Sequence, residues 1–257
     1  MFRSLQIAAT GMAAQETQLD TIANNLANAN TAGYKRQDAN FEELMYQTVK
    51  APVGAGSAPS GVQLGSGTHV VATPHSFAQG SIEQTGNQLD VAIEGNGFIP
   101  VQRPNGQMAY TRTGSLKTDA TGKLVTTGGL PIEPPISIPS DATSVVIGAD
   151  GIVSATRQGQ QAPTQLGQIQ LVTFTNQEGL SSLGHNLFEA TASSGDPTSG
   201  VPGTEGRGTI LQGAVESSNV QVVTEMIGLI RAQRAYDINS KVISAVDEMI
   251  RNATQQR

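Results

Sequence analysis

The sequence predicts an α+β fold in which long N- and C-terminal helices pack as a coiled-coil-like pair, with a central antiparallel β domain looped out between them. Three patterns carry this expectation. Apolar residues recur every seven positions over the first thirty residues and again over the last part of the chain, and the middle alternates with a period of two around Asn-Gly and Asp-Gly turns.

In the N-terminal stretch Leu5, Met12, Leu19 and Leu26 form one column and Ala8, Gln15 and Ile22 a second. This is the spacing of an a/d seam, and Ala9, Ala13, Ala23 and Ala27 beside it allow close approach of a partner. Asn30-Thr31-Ala32-Gly33 should end the helix, since glycine adopts the left-handed cap conformation without strain. A helix over 2–30 would be ~44 Å long at about 1.5 Å per residue.

The C-terminal stretch repeats the design with Val222, Leu229, Tyr236, Ile243 and Ile250. A second stripe, Ile227, Ile230, Ile238, Val242 and Met249, runs on an adjoining face, and Ser217-Ser218-Asn219 offers N-cap side chains. A helix apolar along one stripe needs one partner; two stripes imply contacts on two sides. The first helix can cover one of them, and something else must cover the other.

Between the ends, Leu89, Val91 and Ile93 alternate with Asp90, Ala92 and Glu94 as in a half-buried strand. Asn105-Gly106 separates Val101 from Met108 and Tyr110, and Asp150-Gly151 separates Val145–Ile147 from Ile152-Val153, both hairpin signals. Ile169, Leu171 and Thr173 alternate again. The expected organisation is a helical domain from 1–35 and 212–257, an extended connector over 36–71 rich in Gly, Ser and Pro, and an antiparallel β domain over 72–211.

Composition narrows the function. Charged residues make up 14% of the chain, against about 25% in ordinary domains, so its surface suits packing against copies of itself or, equally, a quiet secreted β protein. A net charge of −6 without a Lys/Arg cluster argues against nucleic acid. The absence of Cys removes disulfides and thiolate metal sites, and no run of eighteen apolar residues spans a membrane. The opening Met1-Phe2-Arg3 resembles a secretory leader, but its periodicity continues past Leu26, so it reads as part of the mature protein.

A search for chemistry yields no catalytic, cofactor-binding or metal-binding residue and no small-molecule substrate. Gly95-Asn96-Gly97 is followed by Phe98-Ile99-Pro100 rather than a helix, which makes it a turn and not a dinucleotide loop. His69, His75 and His185 fit no metal-ligand spacing, and no Gly-x-Ser-x-Gly elbow or paired carboxylates occur. Asn24, Asn25, Asn28 and Asn30 are unusual in a helix. They mark either a fraying last turn or amides that fix register against neighbouring chains.

Three motifs together resemble one family. Ile22-Ala23-Asn24-Asn25-Leu26-Ala27-Asn28-Ala29-Asn30-Thr31-Ala32-Gly33-Tyr34-Lys35-Arg36 is similar to the N-terminal signature of the flagellar axial proteins, the rod and hook subunits. Asp90–Phe98 with Ala109–Ser115 resembles the start of their β domain, and Gln212–Ile250, with Gln233-Arg234-Ala235-Tyr236, resembles their C-terminal helix. The length leaves no room for the outer domain of hook subunits, and residues 46–67 look like the extended stretch of the distal-rod branch, with the proximal-rod branch as the alternative. Pro100 departs from the apolar continuation expected there and suggests an edge or bulged strand.

The resemblance implies a non-enzymatic structural subunit that polymerises helically with itself into a rigid hollow drive shaft in the periplasm-spanning basal body. It implies export by the flagellar type III apparatus without a cleaved signal peptide, with neighbours among proximal-rod, hook and surrounding ring subunits. The terminal helices would line the channel. Expected subunit-interface residues are Leu5, Ala8, Met12, Leu19, Ile22, Asn24, Asn25, Leu26 and Asn28, with Val222, Leu229, Gln233, Tyr236, Ile243 and Ile250. Pro52, Gly54, Ser57, Pro59, Val62 and Leu64 would form an inter-subunit connector. An adhesin-like β protein with helical oligomerisation ends is the alternative from another class.

Overall fold

A computed structural model of the chain describes residues 2–50, 61–157 and 162–255. Two compact units emerge: one from residues 1–27, Gln37–His75 and residues 221–257, the other from Asn28–Arg36 and Ser76–Val220.

In the first unit α1 spans Phe2–Ala27 and α2 spans Val222–Gln255. Helix α1 ends short of the expected position because local polar groups compete for the backbone: the Thr31 hydroxyl donates to Asn28 Oδ1 and the Thr31 N–H to the Asn28 carbonyl. Helix α2 starts after Ser218-Asn219, with the Glu225 N–H donating to the Gln221 carbonyl. The expected cap residue Asn219 is used elsewhere.

The helices run antiparallel. A Cβ added to Gly11 would stand 3.0 Å from Asn239 Nδ2, one added to Gly228 would stand 3.3 Å from Ile22 Cδ1, and Asn25 Nδ2 lies 3.4 Å from Glu225 Oε2. The expectation of a coiled-coil-like pair is overturned by these contacts. Small and polar residues meet across the pair beside Ile22, and the described buried helical residues are Ala8, Ala14, Thr21, Ile22 and Asn25 on α1 with Glu225, Ala232 and Val246 on α2. The column Leu5, Met12, Leu19 and Leu26, which a knobs-into-holes seam would bury, is only half-buried.

The stretch expected as an extended connector carries four short strands, β1 (Asn40–Glu43), β2 (Gln47–Lys50), β3 (Val62–Leu64) and β4 (Thr68–Ala72). β1 pairs antiparallel with β4 and β2 with β3, giving a ribbon. The Arg3 guanidinium donates to Gln47 Oε1 at 2.8 Å and to the Leu64 carbonyl at 3.0 Å, tying the ribbon to the start of α1.

The described strands of the second unit pair antiparallel, with one 3-10 turn at Gln177–Gly179. Its strands are β5 (Ile82–Gln84), β6 (Val91–Glu94), β7 (Ile99–Gln102), β8 (Met108–Thr111), β9 (Leu116–Thr118) and β10 (Leu124–Thr126). β11 (Ala142–Ile147), β12 (Ile152–Arg157), β13 (Thr164–Gln168), β14 (Leu171–Thr173) and β15 (Ser181–Gly184) follow. β16 (Leu187–Glu189), β17 (Thr198–Gly200), β18 (Thr209–Gln212) and β19 (Ala214–Glu216) complete it.

The four-stranded sheet has the order β15-β16-β8-β7, and β7, which carries Pro100, ends it, with an antiparallel bridge from Val101 to Ile132 on its outer side. Asn105-Gly106 turns β7 into β8 with Gly106 at φ 82°, and Asp150-Gly151 turns β11 into β12 with Gly151 at φ 81°. One apolar core gathers Val91, Ile93, Ile99, Leu124, Val153 and Ile210 among others. A second is aromatic: Phe77, Phe98, Tyr110, Phe174 and Phe188 meet edge-on with ring centroids 4.9 to 6.0 Å apart.

Candidate assembly surfaces

The first unit leaves unusually much apolar surface in water. Along α2, Val222, Val223, Met226, Ile227, Ile230, Tyr236, Ile238, Val242 and Met249 are all exposed, Val223 at 72% and Ile238 at 61%. The second stripe seen in the sequence is therefore a face that α1 does not cover. An apolar face of this length marks an interaction surface, because water contact costs about 25 cal/mol per Å² of apolar area. The ribbon adds Phe41, Met45, Tyr46, Val49, Val62, Leu64 and Val71, with Met45 exposed to 89%.

The residues expected at subunit interfaces fall into three groups. Ala8, Ile22 and Asn25 are buried, and Leu5, Met12, Leu19, Leu26, Asn28, Leu229, Ile243 and Ile250 are half-buried. Asn24, Val222, Gln233 and Tyr236 are exposed. Two of the asparagines are engaged within the chain itself. Asn25 accepts the Gln37 N–H at 2.9 Å and donates to the Gln37 carbonyl at 2.8 Å, closing a two-bond ring, while Asn28 holds Thr31. Val62 and Leu64 are exposed on β3; Pro52, Gly54, Ser57 and Pro59 lie outside the described residues.

The second unit holds a polar cluster that spacing in the sequence does not reveal. Glu216, the last residue of β19, accepts Lys35 Nζ at 2.6 Å and the Gly80 N–H at 2.8 Å on Oε1, and Arg112 Nε at 2.8 Å on Oε2. The Arg112 guanidinium also donates to the carbonyls of Ile93, Gly95 and Gly97, and Lys35 Nζ also donates to the Ala78 carbonyl. All three side chains are buried. Burial works to raise the Glu216 carboxyl, but the charges of Arg112 and Lys35 outweigh it and hold it below the usual carboxylate range. Burial, reinforced by the Arg112 charge, lowers the Lys35 ammonium despite its bond to Glu216. Lys35, Arg112 and Glu216 each fall within one of the three family-like motifs, but nothing in their spacing joins them.

A polar cleft lined by Gln88, Thr118, Asp119, Thr121, Ser137 and Thr143 holds one carboxylate, and Asp119 already accepts the Thr121 hydroxyl and the Lys123 N–H. Among the described residues no three His, Cys, Asp or Glu side chains converge as a metal site requires, and no helix is long and apolar enough to cross a membrane.

Comparison with known proteins agrees with this picture. Residues 5–35 match the family model described as flagella basal body rod protein, residues 92–155 the flagellar hook protein FlgE/F/G D1 domain, and residues 211–256 the flagellar basal body rod FlgEFG protein C-terminal model. The chain is 47% identical to the flagellar basal-body rod protein FlgG of Buchnera aphidicola subsp. Acyrthosiphon pisum, over 99% of this chain and 100% of the relative. It is 44% identical to FlgG of Caulobacter vibrioides, over 99% of each chain, and 36% identical to FlgF of that organism, over 93% of this chain and 91% of the relative. Similarity of this extent, running from the first helix to the last, makes the chain a member of the flagellar basal-body rod protein family.

Proposed function

We infer that the chain is a structural subunit of the flagellar rod, and that its place is the distal rod, where copies assemble helically into a rigid hollow shaft that carries torque. The observation that carries this reading is the apolar outer face of α2, which a single chain leaves in water and which copies of the chain, packed side by side, would cover. The greater identity to FlgG than to FlgF of the same organism supports the distal over the proximal assignment. Nothing in the comparisons or in the surface favours the adhesin-like alternative.

In this reading the helical unit supplies the channel-lining contacts, and no residue performs chemistry. Proximal-rod and hook subunits meet the two ends of the polymer, ring proteins surround it across the periplasm, and the flagellar export apparatus delivers it without cleaving a signal peptide. Electron microscopy of the concentrated purified protein tests the central claim. Tubular polymers are expected, and a protein that stays monomeric under all assembly conditions would overturn it.

The ribbon β1–β4 is the proposed stiffening element. Its apolar residues Tyr46, Val49, Val62 and Leu64 would lie on neighbouring copies and lock them. Deleting residues 52–61, which join β2 to β3 in the sequence, should leave subunits that assemble into bent or flexible rods, seen in electron micrographs of isolated basal bodies. Straight rods of unchanged stiffness would reduce that segment to a spacer.

A further inference from the structure

The nine residues Asn28–Arg36 belong to the β unit although the residues on both sides of them belong to the helical unit. They sit in the β unit as a peptide sits in a receptor. The Ala32 carbonyl accepts Asn186 Nδ2 at 3.0 Å and the Thr113 hydroxyl at 3.3 Å, and the Gly33 N–H donates to the Glu216 carbonyl at 2.8 Å. The Arg36 N–H donates to Asn219 Oδ1 at 2.7 Å, and the Arg36 carbonyl accepts the Ser76 N–H at 2.7 Å. Gly33 is left-handed at φ 73°, and a Cβ there would meet the Thr113 Oγ1 at 2.8 Å, so only glycine fits. Two residues on, the Lys35 side chain enters a buried socket formed by the Ala78 carbonyl and Glu216.

Two features mark the segment as a ligand of the unit rather than part of its core. Neither apolar core contains any residue of 28–36. The socket is also charge-balanced without it: Arg112 and Glu216 form a buried ion pair of their own, and Gly80 still donates to the carboxylate. The receptor side is held by the hairpin itself. His185 and Asn186, left-handed at φ 53° and 58°, form the two-residue turn between β15 and β16 that aims the Asn186 amide at Ala32.

We propose that the β unit carries a peptide-binding site for its own segment Asn28–Arg36, held as a detachable ligand, and that the site accepts the same sequence supplied from outside the chain. The ligand class is a short basic peptide, recognised by a left-handed glycine followed two residues later by a lysine. The inference is independent of the assembly reading, since it concerns only contacts within the β unit.

The test uses the full-length chain with Gly33→Val and Lys35→Ser, which disables the resident segment, and a fluorescent synthetic peptide of residues 28–36. The double variant should keep a cooperative melt of the β unit and bind the peptide saturably at one to one. Wild-type chain should bind it on the order of a hundredfold more weakly, because the tethered segment competes at an effective concentration in the mM range. A peptide carrying Lys35→Met should bind about tenfold more weakly, the loss of one charged hydrogen bond. Adding Asn186→Ala to the double variant should weaken the peptide without lowering the melt. A double variant that no longer folds would show that the segment belongs to the core and overturn the proposal. A folded double variant that ignores the peptide, or binds both peptides equally, would overturn it as well.

Discussion

Lys35 and Glu216 are 181 residues apart in the chain, yet Lys35 Nζ lies 2.6 Å from Glu216 Oε1, with both side chains at 1% exposure or less. Lys35 lies in the segment that follows α1, and Glu216 stands a few residues before α2. Arg112 takes the other carboxylate oxygen, so one buried anion serves two buried cations. The asymmetry decides what each substitution does. Removing the anion strands two charges, whereas removing Lys35 leaves a balanced pair.

Glu216→Ala should therefore destabilise the β unit by about 3–5 kcal/mol, the cost of breaking a buried ion pair from one side. Lys35→Met, which keeps the volume and leaves Arg112 paired with Glu216, should cost only about 1–2 kcal/mol. Denaturant unfolding of the purified variants measures both. Equal losses would mean that the two cations are not shared in the way the geometry indicates.

The same cluster sets a sign for acid sensitivity. The Glu216 carboxyl is held below its unfolded value by Arg112 and Lys35 against the opposing effect of burial. Its contribution is then fully present above the unfolded carboxylate range, near about pH 4.3, and is lost as pH falls below that range toward the folded value. The stability gap between wild type and Glu216→Gln should be largest at neutral pH and narrow by pH 3. A gap that stays constant or widens on acidification would contradict the assignment.

What the sequence made legible follows from how local each signal is. The hairpins at Asn105-Gly106 and Asp150-Gly151 were readable because the turn residues themselves require positive φ. The outer stripe of α2 was readable because Ile227, Ile230, Ile238, Val242 and Met249 keep a helical period whatever covers them. The inner helix contact was only partly readable: Ile22 of the second column takes part in it, but it also runs through Gly11, Asn25, Glu225, Gly228 and Asn239, and a hydrophobic period cannot see small and polar residues. The leucine column was the louder pattern, yet in the single chain it is only half-buried. The ribbon β1–β4 escaped because its apolar residues face water instead of alternating against a core. The buried cluster escaped because three single charges, far apart in sequence, carry no spacing at all.

Gly114 tests how tightly the start of the β unit is packed. Any Cβ placed on it would overlap the Val91 carbonyl, and Val91 itself is fully buried and donates its N–H to the Gly114 carbonyl at 2.9 Å. The backbone must shift to admit a methyl group, so Gly114→Ala should cost about 1–3 kcal/mol or more. Gly128, whose nearest neighbour would be 3.8 Å from an added Cβ, is the control, and Gly128→Ala should stay within about 0.5 kcal/mol of wild type. Similar thermal melts for the two variants would show that the sheet yields at Gly114.

The outer face of α2 separates folding from assembly. Ile230 and Ile238 are exposed, so Ile230→Asp and Ile238→Asp add charge where the single chain meets only water. Each should leave the thermal melt within about 0.5 kcal/mol of wild type. In a polymer that covers this face, the same carboxylate would be buried without a partner, at a cost of several kcal/mol per contact, repeated in every subunit. Polymer yield in electron micrographs and swimming in soft agar should both collapse while the monomer remains folded. Ile243→Asp is the informative companion, because Ile243 is half-buried within the single chain and its variant should lose stability and assembly together. Normal polymers and normal swimming with Ile238→Asp would mean that this face stays open to water in the rod, and the contacts between copies would then have to be sought on the ribbon β1–β4.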